Sequence, residues 1–252
     1  MTMLYFSATG NSRYIAELFC QKTGAACHSI EEKADFDRML ATEDAVGFCY
    51  PIFGSRVPRL LREFIISHLE ALKGKKLIIF CTQMGGSGDG ARALTDVFPR
   101  GHAEVIYAEH FLMPNNVCNL FFLPLAGEKL TRRYLANAQK KMETVCGDIK
   151  NGRIRRRGFN PVSRALGLIQ GVFMPGIERR AKGKVWIGEG CDQCGLCVSI
   201  CPMGNFEFED GKIGTKGNCM ICYRCINKCP QKALSVFSRG EVKRQYAGID
   251  AK

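Results

Sequence analysis

Long apolar runs, an export signal and clustered histidines are all missing from this 252-residue chain. Its two most apolar stretches, "CNLFFLPLAG" and "ALGLIQGVFMPGI", are interrupted by Asn119 and Pro124 and by Gln170 and Pro175. Neither approaches the roughly 18 residues that cross a bilayer, so no transmembrane segment is expected. The opening "MTMLYFSATG" has no charged lead before its apolar residues, which argues against a secretory signal and for a cytoplasmic protein. The four histidines, His28, His68, His102 and His110, are scattered without an acid or nucleophile motif, so nothing announces a histidine-based catalyst. Acids are scarce in one place: residues 150 to 184 hold ten Lys or Arg against Glu178 alone, which is +9 of the chain's +12. Such a segment reads as a solvated basic connector, as a docking surface for an acidic partner, or as a lipid or nucleic-acid surface. The first two fit best, because the rest of the chain is close to neutral, and no nucleic-acid partner is expected.

What is abundant is cysteine: fourteen, eight of them between 191 and 229. "CDQCGLCVSICP" supplies Cys191, Cys194, Cys197 and Cys201 before Pro202, and "CMICYRCINKCP" supplies Cys219, Cys222, Cys225 and Cys229 before Pro230. Each is a C-x2-C-x2-C-x3-C-P run. Three thiolates at that spacing grasp three irons of a cubane from one tight loop, while the fourth, on the following helical turn, points to the other cluster. The expected ligand sets are therefore Cys191, Cys194, Cys197 and Cys229 for one [4Fe-4S] cluster, and Cys201, Cys219, Cys222 and Cys225 for a second. Four thiolates also suit zinc, but two intact runs, each closed by proline, favour iron and sulfide. Between the runs, "NFEFEDGKIG" alternates and turns at Asp210-Gly211, a hairpin pattern, and "KALSVF" follows the second run. Residues 184 to 238 resemble a bacterial 2[4Fe-4S] ferredoxin, with Tyr223 standing where the first run has Gly195. The resemblance implies a small α+β ferredoxin-like two-cluster domain. The other cysteines lack ligand spacing, and Cys49 and Cys81 lie in strand-like runs where a free thiol packs as a small hydrophobe.

The first 150 residues have a different logic. "MTMLYF" reads as a strand and "SRYIAELFCQKTG" as a helix, so Ser7, Ala8, Thr9, Gly10, Asn11 and Ser12 join a strand to a helix N-terminus. That position offers free N–H groups and the positive helix end to a phosphate. The loop has neither the lysine of a P-loop nor the three-glycine dinucleotide spacing, which leaves a single terminal phosphate. Two more strands, in "EDAVGFCYPIFGSRVP" and "KKLIIFCTQMGGSGDGA", run into loops at Pro51, Ile52, Phe53 and Gly54 and at Thr82, Gln83, Met84, Gly85, Gly86 and Gly88. Ligands of doubly wound sheets bind at this carboxyl edge. "AEVIYAEH" supplies a fifth strand, "MPNN" after it reads as a turn that could reach a cofactor edge, and a stripe from Leu130 to Ile149 predicts a closing helix.

The three loops resemble the phosphate loop and the two isoalloxazine loops of flavodoxins. The resemblance implies an α/β doubly wound parallel sheet of order 2-1-3-4-5, with right-handed crossovers, and bound FMN with Phe53 over the ring. The whole chain is similar to the flavodoxin-ferredoxin fusion proteins of bacteria and archaea. Its expected division is 1–150 (FMN-binding), 151–183 (basic, partly helical linker), 184–238 (ferredoxin) and 239–252 (tail). In the linker, Val162, Leu166, Ile169, Val172 and Phe173 are expected to pack a helix against one domain. The resemblance implies electron transfer between FMN, two [4Fe-4S] clusters and a redox partner. The alternative is an FMN-dependent oxidoreductase acting on NAD(P)H or a small substrate.

Overall fold

The computed structural model describes residues 1–120 and 123–249; residues 250–252 of the expected tail lie outside them. Strand β1 (Thr2–Tyr5) leads to helix α1 (Asn11–Thr23), β2 (Ala26–Ser29), α2 (Phe36–Ala41), β3 (Ala45–Pro51), α3 (Arg59–Ser67) and α4 (Leu69–Leu72). Then come β4 (Lys76–Gln83), a 3-10 turn (Arg92–Val97), β5 (Glu104–Leu112) and the long α5 (Glu128–Lys150). The strands pair in parallel in the order β2-β1-β3-β4-β5, as expected, and a sixth strand, β6 (Arg155–Arg156), extends the edge beyond β5. Successive side chains leave opposite faces of a strand, so each buried strand feeds two cores. Leu77, Ile79 and Cys81 join Leu61, Ile65 and Leu72 on one face. Ile78 and Phe80 join Ile15 and Phe19 of α1 and Met142 and Val145 of α5 on the other. Leu130, expected at the start of the α5 stripe, is exposed, and Ala138 is the first residue of α5 to be buried.

The edge strand is unexpected because Arg155 and Arg156 carry no strand signal. Charge holds it. Glu109 is buried, and Lys141 Nζ (3.1 Å), Arg157 Nε (3.4 Å) and Arg155 (3.8 Å) converge on it. Asp148 accepts Tyr107 Oη–H and pairs with Arg153 and Arg155. Part of the basic segment is therefore spent on buried carboxylates, which would cost several kcal/mol to leave unpaired.

The linker continues as α6 (Pro161–Gly171) and α7 (Met174–Lys182). Here the packing expectation is overturned. Val162, Leu166, Ile169, Val172 and Phe173 point outward, with Phe173 73% exposed. The inward face is made of small and polar residues. Gly167 sits against the Asp89 carboxylate, where a Cβ would clash with Oδ1. Gln170 accepts hydrogen bonds from Ser55 Oγ–H and Gly88 N–H and donates to Gly86 O. Close backbone approach and hydrogen bonds, not apolar burial, chose this face.

The remaining residues form two two-stranded antiparallel sheets around two short helices: β7 (Val185–Ile187), α8 (Leu196–Ile200), β8 (Phe206–Glu209), β9 (Lys212–Thr215), α9 (Arg224–Lys228) and β10 (Leu234–Val236). β7 pairs antiparallel with β10 and β8 with β9, the latter turning at Asp210 and Gly211, both with positive φ. Met220 and Cys222 join the core of the parallel sheet, and Tyr246 and Ile249 join its other face. Arg224 bolts the two parts together. Its guanidinium donates to the carbonyls of Ser7 (2.8 Å), Ala8 (3.2 Å) and Ile200 (3.0 Å) and pairs with both Glu31 oxygens. Among the described residues no helix is long and apolar enough to cross a membrane.

Candidate functional site

β1, β3 and β4 end side by side, and their loops open onto one cavity of about 570 Å³. At the first loop Gly10 adopts φ 95°, a conformation glycine enters without strain, and turns the chain into α1. No side chain caps this helix, and its first backbone bond is Tyr14 N–H to Gly10 O. The N–H groups of Asn11, Ser12 and Arg13 thus remain without a cap at the positive helix end, which favours an anion there. Thr9 Oγ1 accepts from Asn116 Nδ2, so its own hydrogen is free. The Ser12 and Thr82 hydroxyls share one hydrogen bond of 2.8 Å, leaving one hydrogen of the pair free. Asn11 is otherwise engaged: its Nδ2 donates to Pro114 O and its Oδ1 accepts from Tyr246 Oη–H.

Of the residues singled out in the sequence, Ser7, Ala8, Thr9, Asn11 and Ser12 line this cavity, as do Pro51 to Gly54 and Thr82 to Met84. Gly10, Gly85, Gly86 and Gly88 do not. Gly88 instead lets the backbone of α6 approach, and Gly85 and Gly86 face open space. The sequence reading missed the opposite wall. It is built by Met113 to Val117, by Met174, Ile177 and Arg180 of α7, and by Ile221, Tyr223 and Phe237. "MPNN" carried a signal for the first of these; the others come from distant chain and have none. A cavity of this size and mixed lining suits a small cofactor, and the uncapped helix end with two free hydroxyl hydrogens suits its phosphate.

Seven of the eight clustered thiols have thiol neighbours that divide them into a group of four and a group of three. Cys201, Cys219, Cys222 and Cys225 line one small cavity together, although Cys201 belongs to the other run. Burial pushes Cys222 up to about 12 and raises Cys219 and Cys225, and the charge of Cys201 reaches all three. Cys197, raised by burial to about 11, has Cys191 and Cys229 as its charged neighbours. Bare thiolates are disfavoured in such surroundings, whereas bound cationic metal makes them the stable form. Backbone N–H groups of Asn205 and Ile221 lie 3.3 Å from the sulfurs of Cys201 and Cys219. Among the described residues no three His, Cys, Asp or Glu are gathered around the space of one bare ion. The donor set fits clusters held by thiolates alone.

Tyr223 occupies the left-handed region (φ 64°) at the start of α9, as Gly195 does (φ 74°) at the start of α8. For a bulky residue this costs on the order of 1–2 kcal/mol. Burial of the ring and a 2.9 Å bond from its hydroxyl to Asn119 Oδ1 help to offset it. His110 is buried, accepts from Ala91 N–H and is lowered to about 4 by burial and by Arg157, so it stays neutral. Cys49 and Cys81, raised by complete burial, are packing residues, as expected.

A family model described as "Flavodoxin domain" matches residues 2–148. The chain belongs to the flavodoxin domain family. Beside this flavodoxin domain stands a second likeness: 46 residues, 18% of the chain, are 35% identical to a ferredoxin of Methanothermococcus thermolithotrophicus and cover 77% of it. A flavodoxin domain and a ferredoxin segment are thus joined in one chain. Solved structures similar to it include general stress protein 14 of Treponema denticola in complex with FMN (TM-score 0.42, 14% identity, 59% of this chain and 97% of that one). Another is the two-electron reduced flavodoxin of Megasphaera elsdenii (TM-score 0.38, 22% identity, 56% of this chain and 98% of that one). The parallel strand order and the family match establish the flavodoxin fold.

Proposed function

We propose that the protein carries electrons between an FMN at the ends of β1, β3 and β4, two [4Fe-4S] clusters on the eight clustered cysteines, and a redox partner. One observation carries this reading: a single cavity is walled by the three flavodoxin loops on one side and by Ile221 and Tyr223, the neighbours of Cys222, on the other. FMN holds one or two electrons and a cubane passes one at a time, so the pair converts between the two modes. The chain's own part is to bind and to insulate. The uncapped N–H groups of α1 and the Thr9 and Ser12 hydroxyls hold the phosphate, Phe53 covers the ring, and Gln170 braces both ring loops from α6. Cys191, Cys194, Cys197 and Cys229 hold one cluster and Cys201, Cys219, Cys222 and Cys225 the other, with N–H···S contacts favouring the more negative, reduced state. The functional division is 1–150, 151–183, 184–238 and 239–252, with Arg155 and Arg156 of the linker lent to the sheet. The cytoplasm, which keeps thiols reduced, is the compartment that suits these ligands.

Anaerobically purified protein should contain about one FMN, eight irons and eight acid-labile sulfides, as two four-thiolate sites require. Zinc without sulfide after anaerobic reconstitution would remove the iron-sulfur reading. Rapid NAD(P)H oxidation with no added partner would replace the carrier by an enzyme.

We place docking of an acidic redox partner on the outward face of α6 and α7, where exposed Val162, Leu166, Ile169 and Phe173 adjoin exposed Arg164, Arg179 and Lys182. Charge complementarity acts chiefly on association rate and is screened by salt. Reduced protein should therefore pass electrons to an acidic carrier protein severalfold faster at low salt than at 0.5 M, and the Arg164→Glu, Lys182→Glu variant should lose that gain. Salt-independent rates would place docking elsewhere.

A further inference from the structure

The iron-sulfur segment offers the flavodoxin domain two different approaches, and they are not equivalent. Ile221 and Tyr223, on either side of Cys222, line the cavity that contains the ring loops. The same two residues also line the small cavity of Cys201, Cys219, Cys222 and Cys225. They are the wall between the two spaces. From the first run, Leu196 and Ile200 reach a separate cleft that touches Ser7 to Gly10 but none of the ring-loop residues Pro51 to Gly54 or Thr82 to Met84. Each set has one buried thiol, Cys197 or Cys222, but only the first has an exposed one, Cys194; Cys201, Cys219 and Cys225 are all half-buried. Asn116, which lines the ring cavity, donates to Cys222 O and accepts from Asn227 Nδ2, so the wall is hydrogen-bonded in place from both sides.

We infer that the two clusters act in a fixed order: the one held by Cys201, Cys219, Cys222 and Cys225 exchanges electrons with the flavin, and the one held by Cys191, Cys194, Cys197 and Cys229 exchanges them with the partner. Tyr223 is the positioning residue of the inner junction. Its left-handed backbone, where the repeat has glycine, puts an aromatic ring in the shared wall. Each transfer outward oxidises the flavin by one electron and reduces the inner cluster by one. The inner cluster is reoxidised by the outer one, and that in turn by a one-electron carrier protein. Two such passages empty a fully reduced flavin, and the reverse direction balances in the same way.

This inference rests on the proposed cofactors, and its test separates the two. Holo-protein is first checked for flavin, iron and sulfide; their absence would overturn the cofactor reading itself. Cys194→Ala and Cys219→Ala variants, each poised with one-electron-reduced flavin and reduced remaining cluster, are then compared by EPR power saturation of the flavin signal. Fast relaxation should persist in Cys194→Ala and be lost in Cys219→Ala; the opposite pattern overturns the order. Should either variant shed all its iron, Tyr223→Gly, a change the left-handed backbone tolerates, is examined with both clusters intact. Flash-reduced flavin should then pass its electron to iron at least threefold more slowly than in the unaltered protein, with Leu196→Ala unchanged. Equal rates for Tyr223→Gly and the unaltered protein, or slowing by Leu196→Ala alone, overturn the order.

Discussion

Replacing Cys201 by alanine should strip the iron held with Cys219, Cys222 and Cys225 and spare the iron held with Cys191, Cys194 and Cys197. Distance along the chain argues the reverse, since Cys201 is four residues from Cys197 and eighteen from Cys219. The fold supplies the reason. α8 turns the chain between Cys197 and Cys201, and the Cys201 backbone leaves it extended (ψ 114°), into the cavity lined by Cys219, Cys222 and Cys225. Cys229 repeats the geometry at the end of α9 (ψ 117°) and feels Cys197. Losing one of four thiolates exposes an iron to water and leaves three thiolates to hold a cluster alone. Iron and sulfide should fall from about eight each toward about four each. Iron and sulfide assays with low-temperature EPR would check this, and loss confined to the cluster of the first run would show that the ligand sets are not crossed.

Removing the Thr9 and Ser12 hydroxyls should weaken FMN binding by tenfold or more while leaving riboflavin binding nearly unchanged. Thr9 has a free hydrogen and the Ser12–Thr82 pair has one more to offer a doubly charged acceptor, and a hydrogen bond to a charged group contributes about 1.5–3 kcal/mol. Tenfold corresponds to about 1.4 kcal/mol, so even partial loss of the pair clears it. The changes also break the Thr9–Asn116 and Ser12–Thr82 bonds, which slightly loosens the cavity wall. That loosening would affect both flavins alike, whereas the phosphate contribution exists only for FMN. Fluorescence quenching titrations on apo-protein give both affinities. Equal losses for FMN and riboflavin would mean that the loop serves the fold and that the phosphate lies elsewhere.

The sequence by itself determined the features whose cause is local. The spacing of each cysteine run and its closing proline are short-range geometry, so the thiolate loops could be read from the spacing alone. The same holds for the small-residue loop between a buried strand and an amphipathic helix, and for Asp210-Gly211 at the head of a hairpin. Runs such as "LIIF" are apolar on both faces and need cover on both sides, which marks a covered parallel sheet, whereas the order of its strands came from the flavodoxin resemblance. β2 was counted only through the resemblance and β6 not at all, because "ACHS" and "RR" carry no apolar period, and neighbouring backbone and buried carboxylates recruit them.

Only the tertiary structure decided how the halves meet. An apolar stripe marks one face of α6, but the helix is held by the other, where Gly167 allows contact with Asp89 and Gln170 reaches three loop groups. Periodicity registers hydrophobicity and is blind to a face that binds by close approach and hydrogen bonds. The far wall of the cavity is assembled from segments over a hundred residues apart, with Asn116 beside Cys222 and Arg224 bridging Ser7, Ala8 and Glu31. Arg224 looks like an ordinary intervening position of a ligand run, and Tyr223 stands out there only as the residue in place of Gly195. Their roles depend on partners that reach them only once both halves have folded, because a charge-assisted bolt and a shared wall are properties of two surfaces in contact and neither surface's sequence contains the other.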